Sequence, residues 1–139
     1  MTNALLAGAL GAATTNLLHE TVRRIYPNAP RVDLLGMQAL SKLVATQTEP
    51  PKGRALYAAT LAGDLLSNSA YFSLIGLGPR SHALKIGFAV GTLAGLGAVA
   101  LPKPLGLSES TTSRTPATAV LTLAMYTLGG LATGFALRA

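Results

Sequence analysis

Asp64 is the one carboxylate in the stretch Ala59–Phe72, which otherwise consists of small, apolar and neutral polar residues. At about 100° per residue, Tyr57, Thr60, Asp64, Ser67, Asn68 and Tyr71 fall on one face of a helix. Six hydrogen-bonding side chains on one stripe can hold a cation, pass a proton or receive the polar head of a small amphiphile. Their bland use is to pin helices together by interhelical hydrogen bonds, each worth about 1–2 kcal/mol or less.

A second polar stripe lies near the end of the first apolar segment: Asn16, His19, Glu20 and Arg23. The pair His19-Glu20 is the start of a zinc-protease HExxH pattern, but position 23 is arginine and the second histidine is missing. Glu20 is therefore expected to pair with Arg23 or Arg24 one helical turn on, with His19 anchoring the interface. In the last apolar segment Thr122 and Tyr126 share a face. Counting rise along antiparallel helices puts Asp64 level with Asn16 and Tyr126, and His19 and Glu20 nearer the surface. No Lys or Arg falls at that depth.

These residues need a scaffold, and composition says which. The chain has 139 residues, 50% hydrophobic and only 12% charged, about half the charge usual for a soluble domain. Abundant Ala, Gly and Leu fit helices packed closely in lipid. The expected fold is an all-α polytopic membrane protein, a single domain over residues 1–139. Four transmembrane helices form a compact bundle, at about 3–24, 55–78, 83–101 and 115–137, each near the 20 apolar residues a span requires. Proline and glycine punctuate them: Pro27 and Pro30, Pro50 and Pro51, Gly78 and Pro79, Pro102 and Pro104, with Pro116 in the first turn of the fourth. Thr115 or Ser113 is the expected cap there.

The segment at about 31–46 reads as an interfacial amphipathic helix, with Val32, Leu35, Leu40, Leu43 and Val44 near one face and Asp33 charging its start. The N-terminal apolar run lacks the basic stretch a signal peptide needs and reads as a retained span. Lys and Arg divide eight to three between the two sides, with Arg23, Arg24, Arg31, Lys42, Lys52, Arg54, Lys103 and Arg114 on one side. The positive-inside rule then turns both termini away from the cytoplasm. Compactness and this asymmetry point to a bacterial cytoplasmic membrane.

Gly87, Gly91 and Gly95 make two overlapping GxxxG steps. Such a strip packs helices within the bundle or forms a seam for self-association between copies. The net charge of +6 is scattered between apolar runs, so no nucleic acid is expected as partner. The lipid bilayer is the expected partner. The chain has no cysteine, and no cofactor, metal site or catalytic motif emerges. The functional expectation is a polar intramembrane site centred on Asp64 that binds or transports a proton, ion or small solute. The alternative is a scaffold or accessory subunit whose stripe only holds helices together.

Overall fold

The computed structural model describes residues 3–139; Met1 and Thr2, the start of the tail expected to carry no positive charge, lie outside them. Six helices follow in order: α1 (Ala4–Ile25), α2 (Val32–Val44), α3 (Gly53–Ser73), α4 (Ala83–Ala100), α5 (Ser110–Ser113) and α6 (Pro116–Arg138). Among the described residues there is no strand. Two helical segments among the described residues, Arg80–Ala100 and Pro116–Arg138, are long and apolar enough to cross a membrane. α1 and α3 are of similar length but carry charged groups, Glu20, Arg23 and Arg24 on one, Arg54 and Asp64 on the other.

Local chemistry sets the ends. The Asn3 side chain accepts from the Leu5 amide at 3.0 Å and opens α1. Pro27 disfavours helical backbone in the residue before it, and Tyr26 is extended. Thr115 and Thr118 form a reciprocal capping box, with Pro116 at the first position of α6. α3 stops at Ser73 and tightens into a 3-10 turn over Leu74–Leu77, so the regular helix is shorter than the expected segment to residue 78.

α4 lies against α6 in the most extensive interface, and α1 packs on both α3 and α6. A Cβ placed at Gly91 would strike the Tyr126 carbonyl, and one at Gly95 would meet the Leu123 backbone. One at Gly87 would meet the Gly130 carbonyl. The glycine strip is thus covered by α6 of the same chain and is not a free seam. α1 uses Gly8 against the Ser69 carbonyl of α3 and Gly11 against α6.

The interior consists mainly of small and hydroxylated residues, and the large apolar ones face out. Ala7, Ala12, Thr15, Thr112, Thr118, Thr122 and Thr133 are buried. The threonine hydroxyls bond to backbone carbonyls, as Thr15 does to Gly11 at 3.0 Å and Thr133 to Gly129 at 3.1 Å. Leu6, Leu17, Leu66, Leu93 and Phe135 are each more than 60% exposed. Phe72, Ile75, Met125, Tyr126 and Leu137 are large side chains that do lie inside. Water would penalise an exterior so rich in leucine; lipid would not.

α2 lies across α3, where Gly36 allows close approach to Thr60. It is tied to the segment before α5: Lys42 Nζ donates to the Leu105 carbonyl at 2.6 Å, and the Ser108 amide donates to Gln38 Oε1 at 3.0 Å. Its inward face is Val32, Leu35, Gly36 and Ala39. Leu43, one turn further on the same face, is 70% exposed.

Candidate functional site

The polar stripe of α3 divides into three stations. At the α2 end, Tyr57 donates to Glu20 Oε1 at 2.9 Å, joining α3 to α1. Glu20 is also held by the Arg23 fork, Nε and Nη2 each at 2.9 Å, and by Arg24 at 3.3 Å. The expected Glu20–arginine pairing is present, with Tyr57 as a third donor.

In the middle, Thr60 and Asp64 face Asn16 and His19 of α1 across a cavity of about 40 Å³. Only 6% of His19 is exposed, and its ring packs edge-on against Tyr126 with centroids 5.5 Å apart. The Asn16 amide nitrogen, both His19 ring nitrogens and the Thr60 hydroxyl are buried and make no well-formed hydrogen bond among the described residues. All three side chains line this one cavity. Unpaired buried polar atoms are costly, and the cavity is large and polar enough for ordered water to serve them. Asn16 also faces the Asp64 carboxylate.

Beyond Asp64 the stripe meets a groove of about 600 Å³ between α3 and α4, roofed by α2 and the residues 101–107. Asp64, Ser67, Asn68, Tyr71 and Tyr126 form its polar wall. Val32, Leu35, Ala39, Leu93, Ala94 and Leu101 supply apolar surface, and no Lys, Arg or His lines it. Asn68 Nδ2 donates to Asp64 Oδ1 at 2.9 Å, one turn along the same helix. Ser67 bonds back to the Asp64 carbonyl at 3.2 Å. Tyr71 donates to the Val90 carbonyl at 3.0 Å and so ties α3 to α4.

Asp64 is the polar residue common to the small cavity and the groove; Val32 is the apolar one. All ten residues of the sequence-based site lie along this path, but not as one constellation. Tyr57 and Glu20 belong to an ion-pair cluster at one end. Asn16, His19 and Thr60 belong to the cavity, and Ser67, Asn68, Tyr71 and Tyr126 to the groove.

Sequence reasoning missed the α4 wall. Ala94, Gly97 and Ala98 read as packing residues, yet their small side chains leave the groove open. It also missed the Arg31–Asp33 pair at the start of α2, bonded at 2.9 and 2.7 Å beside the small cavity. Burial works against charge on Asp33, but the Arg31 fork outweighs it and holds the carboxyl below its ordinary range. Among the described residues, no three His, Cys, Asp or Glu side chains converge to hold a metal ion.

Comparison with protein-family models, with curated proteins and with solved structures finds no match to this chain.

Proposed function

We propose that this chain is a four-span membrane protein whose Asp64 site binds a small amphiphile with a cationic or hydrogen-donating head. The burial pattern supports the membrane setting: glycine, alanine and threonine make up most of the inside, while most leucines, with Phe88 and Phe135, face out. In the most apolar window of Arg80–Ala100 only 22% is buried inside the chain, unlike the core helix of a soluble domain. α1 and α3 then cross beside α4 and α6. The charge asymmetry supports a reading in which both termini lie on the non-cytoplasmic side of a cytoplasmic-type membrane.

The position of Asp64 carries the reading. On one side it borders a polar cavity with unpaired donors and acceptors; on the other it borders an apolar groove of ligand size. The groove opens outward past Leu93 and Leu101, both more than half exposed. A solute entering from the bilayer would lay its apolar body along α2 and α4 and its head on Asp64. The groove offers a carboxylate and no cationic side chain, so it selects a positive or donating head. The cavity gives Asp64 a polar route for exchanging its proton, the arrangement a solute transporter would need.

The scaffold alternative draws support from Tyr57 and Tyr71, whose hydroxyls each bridge two helices. Asp64 differs in degree: Asn16 of α1 faces its carboxylate, but its formed hydrogen bond, from Asn68, stays within α3.

Calorimetric titration of the micelle-embedded protein with tetraphenylphosphonium, a lipophilic cation, tests the reading. The wild type binds, and Asp64→Asn weakens binding at least tenfold at unchanged helix content. Equal affinity of both proteins would refute it.

A further inference from the structure

Four arginines converge at the junction of α1, α2 and α6, with Arg23 shared between this junction and the small cavity beside Asp64. Arg23, Arg24, Arg31 and Arg114 line a cleft of about 260 Å³, together with Ile25 and Tyr26. A framework of backbone-directed bonds holds its walls. The Arg31 amide donates to the Thr111 carbonyl at 2.6 Å, and the Thr118 hydroxyl to the Asn28 carbonyl at 2.8 Å. Arg114 Nη2 donates to the Pro27 carbonyl at 2.8 Å. The turn between α1 and α2 is thereby fixed to the start of α6.

The guanidinium groups are unequally occupied. Arg23 gives its fork to Glu20 and Arg31 gives its fork to Asp33. Arg24 spends one long contact on Glu20 and its side chain is 73% exposed. Arg114 pairs with no carboxylate among the described residues. Each guanidinium has five donors, so Arg24 and Arg114 retain most of theirs. Four arginines against Glu20 and Asp33 leave a surplus of two positive charges in the cleft. Next to it Ile25 is 76% exposed and Tyr26 38%, an apolar and an amphipathic side chain beside the charged mouth.

We infer that this cleft binds the phosphate of an anionic phospholipid headgroup, with Arg24 and Arg114 as its donors and Ile25 against the acyl chains. The inference rests on the membrane setting proposed above and not on the Asp64 site. Donor-rich arginines match phosphate oxygens in pairs. Basic pockets between spans on the cytoplasmic side hold such headgroups, and the eight-residue basic side contains all four arginines.

Native mass spectrometry of the full chain, released from micelles doped equally with dioleoylphosphatidylglycerol and dioleoylphosphatidylcholine, provides the test. The wild type retains the anionic lipid preferentially. Arg24→Gln lowers that preference about fivefold and Arg24→Gln with Arg114→Gln about 25-fold, from the usual contribution of one surface arginine. Lys52→Gln with Arg54→Gln removes equal charge from exposed positions outside the cleft and leaves the preference unchanged. An equal loss in both double variants would overturn the site in favour of diffuse attraction. Displacement of the lipid by excess inorganic phosphate would show a free-anion site and overturn the lipid assignment. Retention of neither lipid would overturn the inference together with the membrane setting, whereas retention without preference would overturn the inference alone. Among the described residues the ion pair of Arg24 is the one long contact to Glu20, so the single variant tests the site even if Arg114→Gln misfolds; circular dichroism checks each variant.

Discussion

α4 treats two of its neighbours, α6 and α3, differently. Against α6 it presents Gly87, Gly91 and Gly95, and the backbones close until no Cβ fits between them. Toward α3 it presents Leu93, Ala94, Gly97 and Ala98, and the helices stand apart around a groove. One bond, Tyr71 to the Val90 carbonyl, spans that gap at its far end. Small residues therefore have two meanings on one helix. Where the partner carries small residues too, as α6 does with Gly130 and Gly134, they permit contact. Where the partner carries Asp64, Asn68 and Tyr71, they leave room for a ligand.

The sharpest way to break this contrast is to add bulk at the seam. Gly130→Val would push methyl groups into the Gly87 and Gly91 backbone, with neither side free to yield. Overpacking of this kind costs about 3 kcal/mol, read as a loss of unfolding free energy in micelles. Toward the groove, Asp64→Asn should shift unfolding by less than about 1 kcal/mol, since its bonded partner Asn68 is on the same helix, while lipophilic-cation affinity falls at least tenfold. A large stability loss with intact binding would instead favour the scaffold role.

A smaller effect of opposite sign separates the two faces of α4 directly. A Cβ at Gly97 meets only the Leu101 side chain at 3.5 Å, an ordinary contact. Gly97→Ala should stabilise by about 0.5 kcal/mol through helix propensity, whereas Gly91→Ala destabilises by about 1–3 kcal/mol. Thermal unfolding of the two variants side by side would show whether the glycines of one helix differ as their surroundings do.

The smallest effect belongs to the Arg31–Asp33 pair beside the polar cavity. The folded protein holds the Asp33 carboxyl below its ordinary range, so the unfolded chain binds the proton first as pH falls. The pair's stabilisation is fully present above about pH 4, the unfolded value. It is lost as pH drops through the folded value. With Arg31 38% exposed, the contribution is below about 1 kcal/mol. Asp33→Asn should remove that part of the acid dependence, measured as the slope of unfolding free energy between pH 5 and about pH 3.

Helix positions were legible because apolar runs and proline or glycine breaks are local signals. The last two expected segments, at about 83–101 and 115–137, coincide with Ala83–Ala100 and Pro116–Arg138, and Thr115 is the cap. The stripe on α3 was legible from its spacing alone. Its division was not, because it depends on which helix faces each turn. The burial of His19 was not legible either, because it depends on Tyr126 of α6, which packs against its ring. The consecutive helices α3 and α4 touch little; α1 is the main neighbour of α3 and α6 that of α4. The groove exists because of that arrangement, which no local pattern encodes.

Single cysteines at neighbouring positions of this cysteine-free chain test the central claim most directly. Ser67 lines the groove, whereas Leu66, the residue before it, is 73% exposed and faces away from it. In bilayer-embedded protein, a lipophilic maleimide should label both Ser67→Cys and Leu66→Cys. Tetraphenylphosphonium should slow labelling at position 67 several-fold and leave position 66 unchanged. Equal labelling rates at position 67 with and without the cation, or equal slowing at both positions, would contradict a ligand seated between α3 and α4 on Asp64.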